Sequence, residues 1–193
     1  SQQRFQAEAI VLATGSRPFE LPFLKPDGRT VITSRTALEL KTIPGRLLVV
    51  GAGAIGLEMG TLFRRLGSKV TVLELMDQVL PGSDKEMAKK MMHFLKKQGL
   101  DIRTQMNIIS SDNDGNGVKV TGNDMKKDVP FEFEGDVILL AAGRRPNSEE
   151  IMQEIPGIKT DKNGFVQVDS RLQTDVPGIY AIGDLIGGHL LAH

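Results

Sequence analysis

The sequence predicts an α/β fold: a parallel sheet covered by helices, extended by an antiparallel meander and flanked by two short segments. Three observations predict it. From residue 47 onward, short apolar runs alternate with amphipathic stretches of helical length, the pattern of repeated strand–helix–strand units. Residues 106–134 then alternate apolar and polar side chains around clusters of Asn, Asp and Gly, the period of antiparallel strands. The composition, 40% hydrophobic and 25% charged over 193 residues, is that of a globular chain able to bury roughly 70% of its unfolded surface.

Each element has a local reason. Residues 8–13 form a short apolar run stopped by Thr14-Gly15-Ser16-Arg17-Pro18, which reads as a buried strand ending in a turn. Pro18, Pro22 and Pro26 followed by Asp27-Gly28 read as a loop crossing between domains. Ser34 is placed to cap a short helix through Leu40, before Pro44-Gly45 breaks the chain. Residues 47–50 are a strand. Residues 54–66 are a helix with Ile55, Met59, Leu62 and Leu66 on one face, ended by Gly67, and residues 70–74 are the next strand. Ser83-Asp84-Lys85-Glu86 reads as a capping box opening a helix that runs to Gly99, with residues 100–103 as a third strand. In that helix Ala88, Met91 or Met92, and Leu95 make a narrow core stripe, and its lysines make a solvated face. Turns of the meander are expected at residues 112–117 and 122–124. Residues 137–141 are a buried strand, and residues 165–168 and 179–182 are two shorter ones.

Composition excludes several classes. With 24 basic and 24 acidic residues the net charge is zero, which argues against a nucleic-acid or membrane-surface protein. The absence of cysteine excludes a disulfide scaffold, a thiolate zinc site and thiol catalysis on this chain. The longest run without charge, residues 47–57, holds three glycines and is too short for a spanning helix, which needs ~18 apolar residues. The start at Ser1, without an initiator methionine or an apolar leader, reads as a processed or excised chain, soluble and intracellular by default.

The sharpest motif is Gly51-Ala52-Gly53-Ala54-Ile55-Gly56, which directly follows a predicted strand and opens an amphipathic helix. Gly51 permits the tight turn, Gly53 lets a pyrophosphate approach the backbone, and Gly56 allows close helix–strand packing. The helix N-terminus adds free N–H groups and the positive end of its dipole. Glu74 ends the following strand at the spacing expected of an acid that binds the adenosine ribose. Its charge repels a 2′-phosphate, and Leu75, Met76, Asp77 and Gln78 supply no cation, so NAD is favoured over NADP. The competing reading is a structural glycine turn beside a surface glutamate. The fold is therefore a Rossmann-like dinucleotide-binding domain.

At residues 51–60 the sequence resembles the pyridine-nucleotide disulfide oxidoreductases, and four further segments agree. Residues 10–18 look like the strand end with which these enzymes touch FAD. Gly143-Arg144-Arg145-Pro146-Asn147 looks like the loop closing the NAD site. Residues 174–184, ending Ile179-Tyr180-Ala181-Ile182-Gly183-Asp184, resemble the second FAD fingerprint, and Leu190-Leu191-Ala192-His193 looks most like the dihydrolipoamide dehydrogenase branch.

The resemblance implies an NAD domain, residues 36–160, between two partial FAD-domain segments, 1–35 and 161–193. It implies NAD contacts from Gly51, Ala52, Gly53, Ala54, Ile55, Gly56, Leu57, Glu58 and Glu74, with Ile108 on the adenine side and Gly143 near the ribose or nicotinamide. Glu58 would meet the carboxamide of nicotinamide; as a first-turn acid it would also complement the helix dipole, worth ~0.3–1 kcal/mol. It implies partial FAD contacts from Thr14, Gly15, Ser16, Asp184, Leu190, Leu191, Ala192 and His193, with Asp184 accepting from ribityl hydroxyls. Taken alone, Thr14-Gly15-Ser16 and Gly183-Asp184 are ordinary turns.

The implied activity is oxidation of dihydrolipoyl groups through a cysteine pair and FAD, with hydride passed to NAD. The implied setting is a homodimer serving a lipoyl-bearing 2-oxo acid dehydrogenase complex, in a bacterial cytoplasm or a mitochondrial matrix. The cysteine pair and the dimer domain with its His–Glu pair are expected outside these 193 residues, so no catalytic residue is assigned here. A sibling flavin reductase of NADH oxidase or mercuric reductase type, and a non-catalytic NAD-binding module, are the alternatives.

Two motifs are set aside. Asp112, Asp114, Asn116 and Gly117 match a calcium loop, but its twelfth position is Asn123 rather than glutamate, so a hairpin turn is expected. His189 and His193 have metal-ligand spacing on a helix, but the residue after the first is Leu190 where a metalloprotease needs Glu. No metal site is assigned.

Overall fold

The computed structural model describes residues 6–191. They fall into two compact units, one drawn from residues 6–17 and 144–191 and the other formed by Pro18–Gly143. In chain order the elements are β1 (Ile10–Leu12), β2 (Ser16–Pro18), β3 (Val31–Ile32), α1 (Ser34–Leu38), β4 (Arg46–Val50), α2 (Ala54–Arg65), β5 (Lys69–Leu73) and α3 (Lys85–Lys97). They continue with β6 (Asp101–Arg103), β7 (Met106–Asn113), β8 (Val118–Asp124), β9 (Val129–Gly135), β10 (Val137–Leu140), β11 (Arg144–Pro146), α4 (Glu149–Glu154) and β12 (Ile179–Ala181), followed by a 3₁₀ turn at Gly183–Ile186. No helix among the described residues is long and apolar enough to cross a membrane.

The larger unit holds a five-stranded parallel sheet in the order β3-β10-β4-β5-β6 and the antiparallel sheet β7-β8-β9. Its central strands β4 and β10 are near-continuous apolar runs because both faces are covered, whereas the edge strand β6 buries only Ile102. Leu47, Val49, Val70, Val72 and Leu139 pack with the helices, while Leu48, Val50, Leu73, Ile138 and Leu140 pack with Val118, Val120 and the rings of Phe131 and Phe133 from the meander. Each such side chain, fully buried, contributes roughly 1.5–3 kcal/mol. Residues 18–35, expected with the leading segment, pack in this unit because β3 pairs with β10. The Asp27 carboxylate starts β3 by accepting the N–H groups of Arg29, Thr30 and Val31, the Thr30 hydroxyl and the Asn113 amide. Burial opposes its charge, but these donors prevail and hold the carboxyl well below the usual carboxylate range.

Several expectations shift. The buried face of α2 is Gly56, Leu57, Gly60 and Phe63, not the stripe of Ile55, Met59, Leu62 and Leu66; Leu62 and Leu66 are exposed. Glycine explains the rotation: a Cβ on Gly60 would sit 3.5–3.8 Å from Leu100, Val70 and Val49, so the helix backbone itself lies against the sheet. The cap of α1 is Thr33, in a reciprocal box with Thr36, rather than Ser34. The cap of α3 is Asp84, which accepts Met87 N–H at 3.0 Å, rather than Ser83. In α3 the core stripe is Ala88, Met92 and Leu95, with Met91 exposed.

The first meander turn lies at residues 114–117, inside the expected span, and joins two strands, not two helices. The second turn lies at residues 125–128, and Gly122 is inside β8. A Cβ there would sit 2.0 Å from Asn107 O and 2.8 Å from the Phe131 ring, so the strand crossing requires glycine.

In the smaller unit β1 pairs in parallel with β12, and β2 and β11 form a second two-stranded sheet. The core gathers Ile158, Val166, Ile179, Ala181 and Leu185, with Leu12 against it. The residue 8–13 strand forms but is not buried: Ile10 is 48% and Val11 56% exposed, because a two-stranded sheet covers little of either face. Residues 165–168 make a single bridge, Thr160 to Val166, in place of a strand.

Candidate functional site

The glycine loop leaves β4 at Val50 and enters α2 at Ala54. Gly51 donates its N–H to Leu73 O at 2.9 Å and holds φ +104°, with its Cβ position only 2.3 Å from Ala141 O. No side chain could stand there. Gly56 is equally constrained, its Cβ position 2.0 Å from Gly51 O, which seats the first turn of α2 on the loop. Gly53 differs. It occupies the N-cap position at φ −74°, no side chain caps the helix, and nothing lies within 4 Å of its Cβ position. The fold tolerates a side chain at Gly53; what would not is a ligand drawn onto the first-turn N–H groups and the positive end of the helix dipole.

Glu74 follows β5 and is 6% exposed. One carboxylate oxygen accepts Ala52 N–H at 2.6 Å and the other accepts Met76 N–H at 2.8 Å. Ala52 O in turn accepts Leu80 N–H at 2.8 Å, so Glu74 braces the loop from one side and Leu80 from the other. A carboxylate offers about four acceptor positions, and two are taken, which leaves acceptors open to hydroxyl donors of a ligand. Arg103, whose carbonyl accepts Glu74 N–H, turns its guanidinium to Asp101 and stacks it 4.7 Å from the Phe133 centroid. The neighbouring cation is thereby committed elsewhere.

The other expected nucleotide contacts lie in the same unit. Leu57 is buried, and Ala54 and Ile55 form the first turn of α2. Glu58 is exposed and is the fifth residue of α2, in its second turn; the first turn holds no acid, so the dipole reading of Glu58 is corrected. Ile108 sits in β7, partly buried opposite Gly122. Gly143 holds φ +127° and its carbonyl accepts Phe19 N–H at 2.9 Å.

In the smaller unit Thr14, Gly15, Ser16 and Asp184 come together through partners that the sequence did not single out for this place. Asn147 exchanges two hydrogen bonds with Thr14, each 2.9 Å, and donates its backbone N–H to Gly15 O. Ser16 donates to Asp184, and Arg144 grips Ser16. Arg17 bonds Glu149 through both carboxylate oxygens at 2.7 Å. Arg144 and Asn147 lie more than a hundred positions from their partners, so no local spacing signals them. Leu190 holds φ 51° and Leu191 is exposed; His189 is in a bend rather than a helix, and Ala192 and His193 lie outside the described residues. A cleft of about 260 Å³ lined by Pro146, Ser148, Glu149, Met152, Asp161 and Gly164 contains none of the expected site residues.

The profile of the pyridine nucleotide-disulphide oxidoreductase family matches residues 1–193. A dihydrolipoyl dehydrogenase of Vibrio cholerae is 41% identical over 185 residues, covering 95% of this chain and 38% of the relative. A mitochondrial dihydrolipoyl dehydrogenase of Pisum sativum is 40% identical over 184 residues, covering 95% and 37%. Among solved structures, the HOCl-induced flavoprotein disulfide reductase RclA of Escherichia coli superposes with a TM-score of 0.79 at 33% identity, covering 94% of this chain and 40% of that one. The chain thus spans about two fifths of the length of the relatives it matches.

Proposed function

This chain belongs to the pyridine nucleotide-disulphide oxidoreductase family, and from that premise we propose that it is the NAD-binding portion of a dihydrolipoamide dehydrogenase, flanked by two segments of its FAD site. The observation that carries the reading is the contrast among the loop glycines. Gly51 and Gly56 are required by the protein's own backbone, whereas the space at Gly53 serves only something outside the chain.

When bound, NAD supplies a ring that carries hydride, and FAD relays electrons between a dithiol and that ring. The protein's part is to hold and orient. The α2 N-terminus receives the pyrophosphate, and Glu74 receives the ribose hydroxyls with the acceptors its main-chain bonds leave free. Its buried charge, with Arg103 paired to Asp101, disfavours a 2′-phosphate. Ile108 and Gly143 flank the nucleotide, and Glu58 projects from α2 for the carboxamide. On the flavin side Gly15, open at φ +70°, Asp184 and the segment at residues 190–193 contribute part of the site. The dithiol step needs cysteines that this chain does not contain, and the intact enzyme would act as a homodimer on lipoyl groups of a 2-oxo acid dehydrogenase complex. The match to RclA favours one second reading, a sibling flavin disulfide reductase with the same nucleotide portion.

Calorimetric titration tests the cofactor. NADH should bind more tightly than NADPH by about tenfold or more, the worth of one hydrogen bond to a charged group, and Glu74→Ala should narrow that gap. Equal affinities in the unaltered chain overturn the assignment. The purified chain with added FAD should show no dihydrolipoamide turnover.

A further inference from the structure

Asp184 is reached by two side chains that lie far away in sequence, and their bonds account for one of its oxygens. The Ser16 hydroxyl donates to Asp184 Oδ2 at 2.5 Å and accepts from Arg144 Nε at 2.6 Å. Arg144 Nη2 also donates to Ser16 O at 2.7 Å, and Nε lies 3.4 Å from the same Oδ2. A guanidinium is a rigid planar fork, so gripping Ser16 at both hydroxyl and carbonyl fixes the hydroxyl's direction. A serine hydroxyl has one proton, and here it is spent on Asp184. Both charged side chains are only about a quarter exposed, at 23% and 26%, so water screens the pair less than it would a surface bridge.

We propose that Arg144 and Ser16 are a positioning pair for Asp184, which commit Oδ2 and leave Oδ1 to accept hydroxyl groups of a polyol ligand. This rests on the reading of Asp184 as part of the flavin site, and it sharpens that reading in two ways. Ser16 serves the ligand through Asp184 and is not itself a donor to it. Thr14 is likewise spent as a donor, its hydroxyl proton going to Asn147 O, so what Thr14, Ser16 and Asp184 together present to ligand hydroxyls is acceptors, of which Asp184 Oδ1 is the carboxylate one. The ligand it selects there is rich in hydroxyl donors, and a phosphate would be repelled. Arg144, adjoining Gly143 in the motif assigned to the nucleotide loop, thus works for the other cofactor's corner.

Two measurements on this chain test it. In ¹⁵N-detected spectra the Arg144 Nε–H should give a separate, slowly exchanging signal, lost in Ser16→Ala and in Asp184→Asn; fast exchange in the unaltered chain overturns the proposal. In FAD titrations, Arg144→Met and Asp184→Asn should each weaken binding about tenfold, and the double variant should bind no worse than either single one. Arg144→Lys, which keeps the charge and loses the fork, should recover only part of the loss. Ser16→Ala, which removes one hydroxyl, covers the case in which Arg144→Met fails to fold, and should weaken FAD comparably. Losses that add in the double variant, or unchanged affinity in Arg144→Met and Ser16→Ala, overturn the proposal. FAD that leaves the Asp184 signals of the unaltered chain unmoved overturns the flavin reading itself, whatever the Arg144 signal does.

Discussion

β4 and β1 are parallel strands of nearly the same residues, Leu-Leu-Val-Val against Ile-Val-Leu, and they end in opposite surroundings. β4 lies between β10 and β5 with helices on one face and the meander on the other, and residues 47–50 are buried. β1 pairs only with β12 and leaves two of its three side chains about half exposed. An apolar run predicts a strand, but burial depends on how many neighbours arrive to flank it. The glycines after each strand follow the same division. Gly51 is walled in by the backbone of Ala141, while Gly15, also at positive φ, has no atom within 4 Å of its Cβ position.

The largest test of that contrast is alanine at the two glycines. Gly51→Ala combines left-handed strain with backbone overlap and should destabilise by about 4 kcal/mol or more in urea unfolding. Gly15→Ala, with strain alone, should cost about 1–2 kcal/mol. Equal costs would break the comparison. Next, Leu47→Ala should cost about 3 kcal/mol by leaving a cavity, whereas Val11→Ala should stay within about 0.5 kcal/mol, as exposed positions do.

A smaller effect separates the units by pH. Burial opposes ionisation of Asp27 and Asp136, yet hydrogen bonds, and for Asp136 also the charge of Arg46, lower both below the unfolded value. Depressed carboxyls stabilise the folded state above the unfolded pKa of about 4, and that contribution is lost as pH falls toward the folded value. Asp27→Asn should therefore flatten the acid limb of the larger unit's stability profile, by under about 1 kcal/mol because the group is solvent-screened. The smallest change in stability, a few tenths of a kcal/mol, is expected for Gly53→Ala at its open N-cap. The same variant should nevertheless lose at least about tenfold in NADH affinity, equivalent to 1.4 kcal/mol. Unchanged affinity would remove the main support for the nucleotide site.

Much of this was readable in advance where a residue's neighbours in sequence are also its neighbours in space. Strand, glycine turn, helix and closing acid are one local unit, and Gly51, Gly53, Gly56 and Glu74 fall where the motif predicts. The rotation of α2 was not readable, because Ile55, Met59, Leu62 and Leu66 form as regular a stripe as Gly56, Leu57, Gly60 and Phe63. Glycine adds no hydrophobicity to a pattern yet permits the closest packing. β2 and β11 are three residues each and contain proline, so neither carries a period. Thr33 outcompeted Ser34 as a cap because its box with Thr36 satisfies donors both ways, and Asp84 outcompeted Ser83 by reaching Met87. The bonds of Arg144 and Asn147 depend on where the chain returns, which no window of sequence contains.

The order of the five-stranded sheet also sets a timetable. β3 and β4 are close in sequence but are not paired with each other; the slot between them is filled by β10. Until residues 137–140 leave the ribosome, two strand edges face an empty lane, and the helices behind them cover an incomplete sheet. Closing that lane is a long-range event with a high loop-closure cost, so it should govern the folding rate of the larger unit. A nascent chain paused within the meander would display unpaired edges at Val31–Ile32 and Arg46–Val50, open to pairing with another chain.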